Sequence, residues 1–93
     1  MDARPSLSRV ATILNQRGLH ARASAKIVEA SARFKSEIHV VKDGTAVNGR
    51  SIMGLMMLSA GVGNDVEVSA GGPQAEAALA AVLDLIGRKF DED

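Results

Sequence analysis

The chain has 93 residues, which is one domain's worth and too few for two separate cores. Its 46% apolar share fits a folded globular chain, but Phe34 and Phe90 are the only aromatic residues, so the core must be aliphatic and base-stacking platforms are close to excluded. Eleven basic residues balance eleven acidic ones and there is no cysteine, which argues against a phosphate-backbone binder and removes disulfides, thiolate zinc sites and a cysteine nucleophile.

In chain order, "MDARPS" (residues 1–6) is polar with a proline and reads as a short flexible arm. No signal-peptide pattern opens the chain, and no apolar run approaches the roughly 18 residues that span a bilayer, so a cytoplasmic location without membrane insertion is expected. "LSRVATIL" alternates Leu7, Arg9, Ala11 and Ile13 with Ser8, Val10, Thr12 and Leu14, which predicts a strand ending in the loop signal "NQRG". From His20 to Phe34 there is no proline or glycine, and apolar residues recur at three- and four-residue steps, so this stretch predicts a helix. Alternation resumes around Asp43-Gly44, predicting a hairpin with strands over 37–42 and 45–48. "RSIMGLMMLSAG" predicts a short apolar helix with Ser51 as N-cap, and "NDVEVSA" a fourth strand. The closing helix takes Pro73 in its first turn and puts Ala75, Leu79, Val82, Ile86 and Phe90 on one face, with Arg88 and Lys89 near its C-terminus. The acidic tail at 91–93 is expected to be a solvated end rather than a binding device. The order β-α-β-β-α-β-α with one hairpin predicts a single α+β domain over 1–93, a sheet with helices on one face.

The densest chemistry lies in "NQRGLHARASA", residues 15–25. If the helix starts just after His20, its first backbone N–H groups have no intrahelical partner and, with the helix dipole, favour an anion there. Gly18 can turn the chain into this end, His20 hangs over the donors, and Arg22 carries a planar guanidinium suited to phosphate. A neutral imidazole nitrogen is also a competent nucleophile near neutral pH. From the residues alone, a phosphoryl or anion site and an ordinary exposed histidine both stay open. His39, inside the strand "EIHVV" with no glycine and no helix end, is the internal comparison and reads as a plain strand histidine.

"GLHARASA" together with "VNGRSIMGLM" resembles HPr, the histidine-containing phosphocarrier family of the phosphoenolpyruvate-dependent phosphotransferase system, over about residues 8–90. The resemblance implies an open-faced β-sandwich, a four-stranded antiparallel sheet with three helices on one face. It implies that His20 accepts a phosphoryl group on Nδ1 from phospho-enzyme I and passes it to enzyme IIA proteins. Arg22 would stabilise the charge, and the backbone of Ala21 and Arg22 would bind the phosphate. Ser51 would be a regulatory site for HPr kinase/phosphorylase, and Arg17, Leu19, Ile52, Met53 and Met56 would dock partners. No cofactor or metal is implied, and a monomer is expected. Two departures stand out. Ala23 replaces the proline of many sugar-transport members, as in the nitrogen-related branch. Arg17, beside Gly18, stands where Asn or Ser is common and adds a cation near His20.

Ser51 read alone is a helix cap, which is compatible with modification. The methionine-rich helix read alone is core, yet so short a helix cannot bury every side, and flexible Met suits a surface that meets several partners. A purely allosteric binding module would not need His20. Nucleic-acid binding through Arg17, Arg22 and Lys26 fits poorly with zero net charge, and two histidines in different elements are no metal ligand set. An autonomous enzyme is not expected, because no second acid or base accompanies His20.

Overall fold

Alternation in "LSRVAT" gives β1 (Leu7–Thr12) one face toward the core, with Leu7 and Ala11 half-buried, and one toward solvent, with Val10 exposed. The structure is a computed structural model that describes residues 6–92; apart from Ser6, the expected arm lies outside these residues, as does Asp93. β1 is followed by α1 (Ala21–Ala32), the hairpin β2 (Glu37–Lys42) and β3 (Thr45–Asn48), α2 (Ile52–Met57), β4 (Asp65–Gly71) and α3 (Ala75–Gly87). The hairpin turns on Asp43 and Gly44 at φ 50° and 81°, the left-handed pair that matches strand twist.

The sheet is antiparallel throughout, in the order β1-β4-β2-β3, so the last strand in sequence fills the gap between β1 and the hairpin. Val66, Val68 and Ala70 of β4 and Ile38 and Val40 of β2 are buried beneath the helices, while Asp65, Glu67 and Glu37 face solvent from the open side. The core is largely aliphatic as expected, with Ile13, Ile27, Leu55, Val82 and Phe90 fully buried. This is the expected four-stranded open sheet with three helices. Among the described residues no helix is long and apolar enough to cross a membrane.

Two sets of backbone bonds fix the end of the molecule where α1 begins. Ile13 N–H donates to Asn64 O at 2.9 Å, Gly63 N–H to Ile13 O at 2.8 Å, and Leu19 N–H to Ala60 O at 2.9 Å. The β1–α1 loop is thereby laced to the α2–β4 loop. The contact is close enough that a Cβ on Gly18, whose φ is 63°, would lie 2.3 Å from Ala60 O.

The C-terminal region departs from expectation in two ways. Pro73 precedes α3 rather than entering it. Gln74 is held by Lys35, its N–H donating to Lys35 O at 3.1 Å and its side-chain oxygen accepting from Lys35 N–H at 2.6 Å, and these bonds keep it out of helical geometry (φ −114°, ψ 30°). At the other end the helix stops at Gly87, and Phe90 does not continue its apolar face. Lys89, Phe90 and Asp91 instead all adopt positive φ, at 58°, 54° and 60°, and this reversed turn swings the Phe90 ring into the core. Left-handed backbone costs non-glycine residues about 1–2 kcal/mol each. Full burial of Phe90 (0% exposed), the Lys26 Nζ bond to Phe90 O at 2.6 Å and the Arg88 Nε bond to Asp91 at 2.9 Å hold the turn against that cost.

Phe90→Ala removes the largest of these restraints and is expected to lower the unfolding free energy by about 3–5 kcal/mol in urea titration. A loss under about 1 kcal/mol would show that the ring does not anchor the turn.

Candidate functional site

Residues 21–32 hold good helix formers without a break, and the chain enters α1 through Gly18 and an extended His20 (φ −71°, ψ −179°) at the N-cap. The His20 carbonyl accepts the first helical bond from Ser24 N–H at 2.9 Å, and Ser24 Oγ ties back to Leu19 O at 3.1 Å. In place of the usual short oxygen side chain, an imidazole does the capping. Its Nδ1 accepts from Arg22 N–H at 3.3 Å, a long bond that commits the lone pair only loosely.

The other ring nitrogen is held from the far end of the chain. Nε2 meets the Glu92 carboxylate. The second Glu92 oxygen accepts from Asn15 Nδ2 at 3.1 Å, and the same Nδ2 donates to Gly18 O at 2.9 Å. An ionised carboxylate can only accept and Nδ1 is already an acceptor, so this network assigns the ring proton to Nε2. Partial burial opposes ionisation of Glu92, but hydrogen bonds from His20 and Asn15 and the nearby charge of Arg17 outweigh it, holding the carboxyl below its ordinary value. The tail was expected to be solvated, and for Glu92 it is not. Its side chain is only 15% exposed because the reversed turn carries it back over the ring.

Around this pair the charge runs against helix preference. α1 has no acid in its first turn and instead carries Arg22 there, with Lys26 one turn on. Cations at a helix N-terminus are unfavourable by about 0.3–1 kcal/mol each, so the end of α1 is electrostatically short of an anion. Arg17, Arg22 and Lys26 line an open cleft of about 440 Å³ whose opposite wall is residues 90–92. Lys26 is drawn toward that wall, with Nζ 3.8 Å from the Asp91 carboxylate.

The remaining anticipated residues divide. Ser51 caps α2, its Oγ accepting from Gly54 N–H at 3.0 Å. Leu55 and Leu58 are buried, but Ile52, Met53 and Met56 are 41%, 71% and 43% exposed, and Met57 is exposed with them. Leu14 and Val62, on the two laced loops, are exposed apolar residues that the sequence reading did not pick out. Leu19, anticipated at the docking surface, is instead in the core at 5% exposure, because its backbone bond to Ala60 turns the side chain inward. His39 stands across from Asn48 and Ser69 on the open sheet face, away from His20. No cluster of three potential metal ligands occurs among the described residues. Asn15 and Glu92 were also missed. Asn15 read as a loop residue, and Glu92 carried no signal beyond being acidic.

The family described as "PTS HPr component phosphorylation site" matches residues 7–88. The chain is 44% identical over 86 residues to the phosphocarrier protein HPr of Cupriavidus necator, covering 92% of this chain and 97% of that one. It is 40% identical over 86 residues to the phosphocarrier protein NPr of Shewanella violacea, covering 92% and 94%. Among solved structures it is similar to HPr-C-His from Thermoanaerobacter tengcongensis, with a TM-score of 0.89, 44% identity and coverage of 94% and 98%.

Glu92 carries a pH dependence of stability. Its folded value is lowered, so above the ordinary value of 4.5 the carboxylate stabilises the fold, and that contribution is lost as the pH falls through the lowered folded value. Wild type is therefore expected to exceed Glu92→Gln in stability at pH 5, with the gap closing at more acid pH. Denaturant titrations of both proteins across this range test it. A gap that widens on acidification contradicts the assignment.

Proposed function

The chain belongs to the HPr family of phosphocarrier proteins of the phosphotransferase system, and we propose that His20 is the residue on which it carries the phosphoryl group. Its relatives are named carriers, not catalysts, and this chain is a carrier in the same sense. In the proposed relay, phospho-enzyme I is the donor and enzyme IIA proteins are the acceptors. The observation that carries this reading is the position of His20 Nδ1: unprotonated, loosely bound and directly over the N-terminus of α1.

The chemistry follows from that position. The Nδ1 lone pair leaves the Arg22 amide and attacks phosphorus in line with the departing group. The backbone N–H groups of Ala21 and Arg22, the latter released from the ring, then donate to the phosphoryl oxygens, and the Arg22 guanidinium offers further donors. The dipole's contribution to such an anion is about 0.3–2 kcal/mol. A stabilisation of that size suits a group that must be accepted and then released, where a deep anion trap would stall the relay. The partner proteins supply the rest of the chemistry, consistent with an open cleft rather than an enclosed pocket.

Ile52, Met53 and Met56, with Met57, form the apolar surface proposed to dock donor and acceptor, and Arg17 extends it toward the site. The lacing of the α2–β4 loop to the β1–α1 loop supports joint use of patch and histidine. Adaptable methionine side chains suit a surface that must meet two kinds of partner. Ser51, at the head of the same helix, is proposed as the regulatory position. A phosphate there adds roughly 1.5–2 negative charges beside the patch and would repel an acidic partner surface.

Incubation with enzyme I and phosphoenolpyruvate is expected to give an acid-labile, base-stable phosphate on the wild-type chain and none on His20→Ala. Arg22→Ala should slow transfer on the order of 100-fold, the scale for removing one transition-state charge contact. Uptake of label by His20→Ala would overturn the assignment.

A further inference from the structure

We propose that Glu92 is a positioning residue for phosphoryl transfer at His20, acting through the Nε2–H bond, and that the reversed turn at Lys89–Asp91 exists to deliver it. This rests on His20 being the acceptor. The residue stands one position beyond the described end of the last turn, where helix continuation would carry it away from the site. It arrives at the ring only because three successive non-glycine residues take left-handed backbone. Strain of this kind persists where the surroundings over-determine it, and here Phe90, Lys26 and Arg88 all hold the turn.

The contact has a specific chemical effect. A neutral imidazole left to itself divides between two tautomers, and only the one with its proton on Nε2 leaves Nδ1 able to attack. The Glu92 carboxylate has no proton to give, so it selects that tautomer, and Asn15 Nδ2 on its second oxygen fixes its orientation. Arg17 is the cation facing it. Arg22 reaches the ring's other nitrogen through its backbone N–H, and Lys26 is occupied by Phe90 O and Asp91.

The same contact strengthens as the reaction proceeds. The Nδ1 lone pair forms the N–P bond while the bond between phosphorus and the phosphorylated donor protein breaks, its electron pair leaving with the donor atom. Nε2 keeps its proton, so the ring gains a positive charge directly opposite the Glu92 carboxylate. A hydrogen bond from a neutral donor to the carboxylate becomes an ion pair, and the interaction is worth more in the transition state than in the ground state. Onward transfer returns the N–P electron pair to Nδ1 and restores the neutral ring. Glu92 exchanges no proton in either direction.

The test uses the full chain labelled with nitrogen-15. In wild type the His20 ring should show a single tautomer, protonated on Nε2, by long-range nitrogen–proton correlation. In Glu92→Ala the ring signals should move to a tautomer mixture while those of His39, across the sheet, stay in place. With the phosphorylated donor protein, kcat for Glu92→Ala should fall on the order of 10- to 100-fold, the worth of a hydrogen bond to a charged group, with KM unchanged. Glu92→Gln, which keeps an acceptor but no charge, should lie between. An unchanged ring spectrum, an unchanged kcat, a loss confined to KM, or a rise in kcat as though Glu92 obstructed the site would each overturn the proposal. The carrier reading fails separately: wild type would then take up no phosphate, whatever its ring spectrum shows.

Discussion

The approach of Gly18 to Ala60 is the constraint on which the rest of this site depends. No other residue fits, since a side chain there would run into a carbonyl oxygen already accepting from Leu19. Because the loop closes at that point, Leu19 is driven into the core and the next residue must enter the helix in extended conformation. The capping position therefore falls on His20. An imidazole is a poor substitute for the usual cap, and that weakness is useful, because its nitrogen is held in place without being tied up. One missing methyl group thus decides which atom faces the helix dipole.

Several local preferences are violated around that atom. Cations sit at the positive end of α1, the cap bond is long, and three residues near the C-terminus adopt a backbone that only glycine takes readily. An anion at the helix end would offset the first of these, and the burial of Phe90 holds the third. The aliphatic core beneath, with Phe90 as its largest piece, supplies the stability that lets the site keep these features. Conflict between local preference and global structure is expected at functional or strained sites.

Much of this was legible in the sequence. Period-2 and period-3.6 patterns located β1, α1, the Asp43-Gly44 hairpin and β4, because each writes its burial into neighbouring residues. "GLHARASA" and "VNGRSIMGLM" then pointed to the HPr family, which the comparisons bear out. The failures have a common cause. Phe90 follows Ile86 at helical spacing, so periodicity alone extends α3 through it, and only a packed core shows that the ring arrives by a reversal instead. Leu19 looked available because its burial comes from a backbone bond to Ala60, far along the chain. Glu92 looked solvated because acidic tails usually are. Contacts between distant segments leave no period to read.

The meeting of His20 with Glu92 joins residues 72 positions apart and so sets an order in time. A chain emerging from the ribosome exposes His20 early, but Glu92 follows 72 residues later. β1 likewise waits for β4 before it has a neighbour. Until Glu92 has emerged, the growing chain has the imidazole but lacks the contact that holds its ring. The geometry around His20 is thus coupled to the assembly of β4, α3 and the reversed turn.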